Sequence, residues 1–309
     1  MPSIASIAAP EFRDRAPALA ELAARLARIG GGDGVHDTPV AGAAVIRASA
    51  PSQPLPAVYD PSVCIVVQGR KHALFDGATY VYDPMHCLIV STSLPITGRI
   101  IEASSARPYL CLRIDLDPRI VEALSSQVEE DAPGDSAPGR ALLVAETSPA
   151  LLDAALRLVR LADEPDAAPV LAPLAMREIH FRLLTGALGP QLRALCRSDG
   201  QARRVGRAIA LLRERYAEPL RIEALAEAAH MSASSLYERF REVTAMSPLQ
   251  FQKRLRLQEA RRLMLSDGLE AAAAAHRVGY ESPSHFSREY RRLFGAPPRR
   301  DAATARAPD

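Results

Sequence analysis

Two short stretches near the end of the chain hold side chains suited to reading the edge of a base. Ser284, His285, Ser287, Arg288 and Arg291 fall within one span of eight residues, and Ser234, Tyr237, Glu238 and Arg241 within another. A guanidinium donates bidentately to guanine O6 and N7, so Arg288 is the first choice for a guanine contact. A carboxylate such as Glu238 accepts from a cytosine amino group. For each position a solvated surface side chain is the alternative. A third set, Lys253, Arg254, Arg256, Arg261 and Arg262, is read either as phosphate contacts or as plain exposed charge.

Such side chains do chemistry only if helices present them. Ile222, Leu225, Ala226 and Ala229 predict a short amphipathic helix, broken at His230-Met231-Ser232. A second helix runs from Ala233 to about Val243, capped by Ser232 and turning Leu236 and Phe240 inward. Helix, tight turn and helix, with small Ala226 and Ala229 permitting close approach, is the helix-turn-helix pattern. Ser247-Pro248-Leu249-Gln250 then predicts a capping box and proline-led start for a long helix ending near Gly268. Beyond it the pattern repeats: a small-residue helix Ala271–Arg277, the turn Val278-Gly279-Tyr280, and a capped helix from Ser282-Pro283 carrying Phe286, Tyr290 and Phe294. Ser232 and Ser282 lie 50 residues apart, which marks an internal duplication.

Charge is divided in the same sense. Residues 201–309 hold 20 Lys/Arg against 13 Asp/Glu, a net of +7, whereas residues 1–200 hold 18 against 23, a net of −5. A basic module joined to an acidic body is the electrostatic footprint of nucleic-acid binding attached to a second function.

From about Arg204 to Arg299 the chain resembles the AraC/XylS family of bacterial transcription activators. The likeness rests on Pro219-Leu220, Leu225-Ala226, Met231-Ser232, Leu236, Phe240, Ser247-Pro248, Arg256 with Ala260-Arg261, Gly279-Tyr280, Ser282, Ser284 to Arg288, and Phe294-Gly295. Two departures stand out. The sixth helix begins with alanines alone, and Arg299-Arg300 replaces the aromatic expected after Pro297, which leaves the final helix open. The resemblance implies two recognition helices in successive major-groove turns, separated by the long helix of about 27 Å.

Between Thr38 and Leu116 short β-rich segments predict a sandwich or barrel, with Asp76-Gly77 as a hairpin turn. Ser62 to Pro84, and onward to Ser125, resembles the cupin-like sensor domain of some AraC-type regulators, carried by Val67-Gln68-Gly69-Arg70-Lys71 and Pro95-Ile96-Thr97-Gly98 among others. That resemblance implies a bound small-molecule effector. Cys64, Cys87, Tyr109, Cys111 and Arg113 are the candidates to line its pocket. On Tyr109–Asp115 the polar set Tyr109, Cys111, Arg113 and Asp115 either faces solvent or lines a lumen. A reactive thiol sensor is one reading of the cysteines, and buried structural cysteine the other. His72 and His86 alone, without an HxH pair, do not make a metal site, and no cofactor or catalytic residue is implied.

The fold expected is α+β and multidomain. A helical extension (1–37) precedes a cupin-like sensor domain (38–125) and a helical connector (126–203), which either dimerises or covers its own domain's core. A DNA-binding domain with two helix-turn-helix motifs (204–305) follows. The function expected is a cytoplasmic, effector-modulated transcription regulator, not an enzyme. Its partners would be promoter DNA, a small molecule, RNA polymerase if it activates, and a second copy if dimeric, with no membrane. Two alternatives remain: a cupin-type metal enzyme with an accessory DNA-binding domain, and a ligand-independent DNA-binding regulator.

Overall fold

The computed structural model describes residues 9–75, 77–128, 141–187, 189–197 and 201–306. In chain order it contains helix α1 (Ala9–Ile29), then strands β1 (Gly34–Asp37), β2 (Ala43–Ala48), β3 (Leu55–Tyr59), β4 (Ser62–Gln68), β5 (Arg70–Phe75) and β6 (Ala78–Tyr82). Strands β7 (His86–Val90), β8 (Leu94–Glu102) and β9 (Tyr109–Asp115) follow, then α2 (Pro118–Ser125) and β10 (Leu142–Glu146). Helices complete the chain: α3 (Pro149–Arg160), α4 (Ala168–Thr185), α5 (Gly189–Arg197), α6 (Gln201–Glu214), α7 (Ile222–Ala229), α8 (Ala233–Thr244), α9 (Pro248–Leu265), α10 (Ala271–Arg277), α11 (Pro283–Phe294) and α12 (Pro298–Arg306).

The chain separates into two compact units. The first takes residues up to Pro54, 60–91 and 98–197; the second takes 55–59, 92–97 and everything from 198 onward. The boundary expected around Cys196–Gln201 spans residues 198–200, which lie outside the described residues, as does Asp76 of the predicted hairpin turn.

The strands form two sheets, in the order β1-β2-β9-β4-β7-β10, antiparallel throughout, and in the order β3-β8-β5-β6, where β5 and β6 pair antiparallel. Period-two alternation divides the larger sheet into two buried faces. Val63, Ile65, Val67, Ile89, Leu112 and Ile114 pack with Leu22 and Leu26 of α1, Leu152, Leu156 and Val159 of α3, and Ile179 and Leu183 of α4. The alternate residues Cys64, Val66, Leu88, Val90, Tyr109 and Cys111 are equally buried on the opposite face. There the Lys71 ammonium of β5 lies 5.9 Å from the Tyr109 ring centre.

Two features differ from the sequence reading, and a third decides between two alternatives it left open. The stretch read as an N-terminal extension supplies Leu19, Leu22 and Leu26 to the core of the first unit. Within the segment read as a helical connector, β10 pairs with β7 from Leu142↔Val90 to Glu146↔His86. The apolar stripes of α3 and α4 cover this unit's own sheet, so a dimer would have to use other residues.

Helix ends in the second unit follow local chemistry. Ser232 accepts from Ser235 N at 3.2 Å, Ser282 from His285 N at 3.3 Å, and Ser247 and Gln250 close a reciprocal capping box. Helix α12 forms despite the missing aromatic. Its Asp301 accepts from Arg261 Nε at 2.7 Å and from the Tyr290 hydroxyl at 2.7 Å, which ties the helix to α9 and α11.

Candidate nucleic-acid interface and ligand pocket

Helices α7 and α8 form one helix-turn-helix and α10 and α11 the other. Leu225, Ala229, Leu236, Phe240 and Phe251 share the first core, and Leu257, Ala260, Ala275, Phe286 and Tyr290 the second. Both cores therefore use α9, which contributes Phe251 and Leu255 at one end and Leu257 to Met264 at the other. Phe240 and Phe251 meet edge to face at 5.4 Å, fixing α8 against α9.

The two turns are built alike from different residues. His230 at the end of α7 takes φ +51°, and Gly279 after α10 takes φ +85°. Ala245 after α8 takes φ +56°, and Gly295 after α11 takes +79°. Gly279 is also sterically required, since a Cβ there would lie 2.0 Å from the Ala217 carbonyl oxygen.

On α8 the structure exposes Ser234, Tyr237, Glu238 and Arg241, and on α11 Ser284, His285, Arg288 and Arg291, while Ser287 is half-buried. Each set lies on the side of its helix away from Leu236 and Phe240, or from Phe286 and Tyr290. The electrostatics of the two differ. The exposed α8 side chains include Glu238 and Glu242 beside Arg241, whereas α11 exposes Arg288, Arg291 and Arg292. Its single carboxylate, Glu289, is buried and bound by Lys253 Nζ at 2.9 Å and by the Tyr280 hydroxyl at 2.7 Å. Burial alone would raise this carboxyl, but the bonds from Lys253 and Tyr280 outweigh it and hold it below the usual carboxylate range.

The cations of α9 are less free than the sequence reading allowed. Arg256 donates from Nε to Tyr216 O at 2.6 Å, from Nη1 to Gly279 O at 2.9 Å, and from Nη2 to Ala217 O and Glu218 O at 3.1 and 2.7 Å. It clamps the chain leaving α6 and the second turn, and so is more than a plain exposed charge. Arg261 is committed to Asp301 and stacks at 5.2 Å over the Phe294 ring. Lys253 serves Glu289, Arg254 reaches the Pro95 carbonyl at 3.4 Å, and Arg262 is paired with Glu259 at 2.8 Å but remains half-exposed. Glu289 was missed in the sequence. The available signal was its position between Phe286 and Tyr290 on the inward face of a basic helix.

The matches to known proteins follow this division. Residues 39–191 match the model of the AraC-type transcriptional regulator N-terminus, and residues 225–303 match that of a helix-turn-helix domain. The chain belongs to the AraC family. Among AraC-family relatives, the HTH-type transcriptional activator RhaS of Escherichia fergusonii is 31% identical over 144 residues, 46% of this chain and 51% of that protein. RclR of Escherichia coli K12, an RCS-specific HTH-type transcriptional activator, is 36% identical over 95 residues, 31% of this chain and 34% of RclR. The chain thus spans about half or less of the length of these relatives. The fold is shared with ToxT from Vibrio cholerae O395 at a TM-score of 0.54, with 10% identity over 86% of this chain and 98% of ToxT.

In the AraC-type N-terminal unit, four of the five side chains expected around an effector share one face of the larger sheet and Cys87 lies on the other. Cys64, Tyr109 and Cys111 are buried on the sheet face turned to β5, with Cys64 and Cys111 sharing a hydrogen bond and Arg113 half-exposed nearby. Burial pushes the Cys111 thiol up. Cys87 lies on the other face and lines a cavity of about 360 Å³ with Arg15, Ile89, Glu146, Leu151, Arg182 and others. Burial pushes its thiol up to about 12, against a role as a thiolate nucleophile. Among the described residues, no group of three or more His, Cys, Asp or Glu is placed to hold a metal ion. No described helix is long and apolar enough to cross a membrane.

Proposed function

We propose that this AraC-family chain is a sequence-specific DNA-binding transcription regulator whose N-terminal unit binds a small-molecule effector. The observation that carries the reading is the pair of capped helices α8 and α11, each with its polar and basic side chains exposed, joined through α9. Nine side chains are assigned to base edges: Ser234, Tyr237, Glu238 and Arg241 from α8, and Ser284, His285, Ser287, Arg288 and Arg291 from α11. Phosphate contacts are assigned to Arg262 on α9 and to Arg292 on α11, whose guanidinium groups stay exposed. The transcription-activator names of RhaS and RclR support regulation rather than catalysis. An activator would also contact RNA polymerase. A homodimer would use the outer face of α4, where Val170, Leu174 and Phe181 stay exposed. A regulator that binds promoter DNA would act in the cytoplasm.

Selection of binding sites from random duplexes with the full chain tests this reading. The expected product is a bipartite motif whose two halves are centred about 10–10.5 base pairs apart, one for each recognition helix. Enrichment of no motif, with or without candidate effectors, would contradict it.

A further inference from the structure

We propose that the cavity between β7, β10, α1, α3 and α4 is a binding site for a small amphipathic carboxylate, with Arg15 as its anion-binding residue. The inference supplies an effector class for the reading above, although ligand binding as such does not depend on DNA binding.

The cavity lies on the helix-covered face of the larger sheet, opposite the face that carries Cys64, Tyr109 and Cys111. Its floor and walls are apolar: Cys87 and Ile89 from β7, Ala145 from β10, Pro149 and Leu151 from α3, and Leu183 from α4. Two guanidinium groups, Arg15 and Arg182, join this lining. A volume of about 360 Å³ falls within the range of small-molecule sites, which are mostly apolar with a few placed polar groups.

Arg15 is the decisive residue. It is only 3% exposed, an unusual position for a permanent charge. A guanidinium has five N–H donors. Among the described residues, Nη2 binds Glu146 Oε1, Nη1 makes a weak contact with Met85 Sδ at 3.9 Å, and Nε has no partner. A planar fork with donors to spare matches a carboxylate, which accepts two parallel bonds from it.

Glu146 occupies that position now. It ends β10, its side chain is 54% exposed, and it lines the same cavity. It can therefore rotate into solvent at little cost when an incoming carboxylate takes its place on Arg15. Arg182 at the mouth is 42% exposed and shares Glu178 with Arg157, so it remains available to the head group. The carboxylate of the ligand would sit between the two arginines and its hydrocarbon part on Ile89, Leu151 and Leu183. At this volume a molecule of about ten non-hydrogen atoms is accommodated.

The test is isothermal titration of the full-length protein, without DNA, with octanoate and 3-phenylpropanoate and with the corresponding primary amides. A carboxylate is expected to bind at least tenfold more tightly than its amide. Glu146→Gln, which removes the competing anion, is expected to tighten carboxylate binding several-fold. Arg182→Gln is expected to weaken it several-fold, and Ala187→Trp, on the exposed rim, to abolish it. These substitutions spare the buried Arg15, and circular dichroism checks that each variant folds. Equal binding of acid and amide, binding undisturbed by Ala187→Trp, weaker binding by Glu146→Gln, or no binding of either acid at about 10 mM would each overturn the proposal. None of those results would bear on whether the second unit binds DNA.

Discussion

Lys253 of α9 donates to Glu289 of α11 across 2.9 Å, and this pair joins the long helix to the second recognition helix. The Tyr280 hydroxyl takes the other carboxylate oxygen at 2.7 Å, and His285 Nε2 lies 3.5 Å from Glu289 Oε1. One buried carboxylate thus sets the orientation of α11 relative to the turn that precedes it.

Glu289→Ala leaves the Tyr280 hydroxyl without its buried acceptor, so a loss of about 1–3 kcal/mol of stability is expected. Glu289→Gln should cost less. Because the native carboxyl is held below its ordinary value of 4.5, the stabilisation is present above that pH and lost as pH falls through the lower native value. Urea unfolding of the wild type and both variants at neutral pH and at about pH 4 measures this. Equal loss in Glu289→Ala at both pH values would contradict it.

Gly279→Ala is expected to be among the most damaging single-methyl changes in the second unit. The new Cβ would meet the Ala217 carbonyl oxygen at 2.0 Å, and the backbone there has φ +85°. A loss of more than about 2 kcal/mol is expected, together with loss of the site half read by α11.

Ala245→Gly should have the opposite sign. At φ +56° Ala245 carries the left-handed strain that Gly295 avoids after α11. Thermal unfolding should show a gain of about 0.5–1 kcal/mol, with base preference unchanged.

In the N-terminal unit, His180 is fully buried, its Nε2 accepting from Asp117 N at 3.0 Å and its Nδ1 donating to Met176 O at 2.7 Å. Burial lowers its pKa below the ordinary 6.5. The unfolded chain then binds the extra proton, so stability is full above pH 6.5 and declines as pH falls through the native value. The melting temperature of the unit should drop between about pH 7.5 and 5.5. His180→Leu should lower it at pH 7.5 and flatten most of that dependence.

How much of this could be read in advance follows from the range of each interaction. Ser232, Ser247 and Ser282 act on backbone groups three residues away, so their caps, and with them both helix-turn-helix motifs, were visible in the sequence. Arg256 was not legible, because its acceptors Tyr216 and Gly279 lie 40 and 23 residues away. The same holds for Arg15 and Glu146, 131 residues apart and joined only when β10 pairs beside α1's sheet. For Tyr109 and Cys111 the sequence left open whether their face is wet or enclosed, and the structure shows it enclosed. Alternation alone does not decide this, and the sheet is covered on both faces.

If α11 reads bases, the loss of base preference should be sharpest at Arg288. Fluorescence anisotropy with DNA from upstream of the protein's own gene and with an unrelated duplex, each titrated from about 50 to 200 mM salt, separates base readout from phosphate attraction. Wild type should prefer its own DNA. Arg288→Ala should lose about 1–3 kcal/mol of that preference, roughly 5- to 150-fold, while its binding to the unrelated duplex changes little. Equal binding of both duplexes by wild type, or an unchanged preference in Arg288→Ala, would contradict the account.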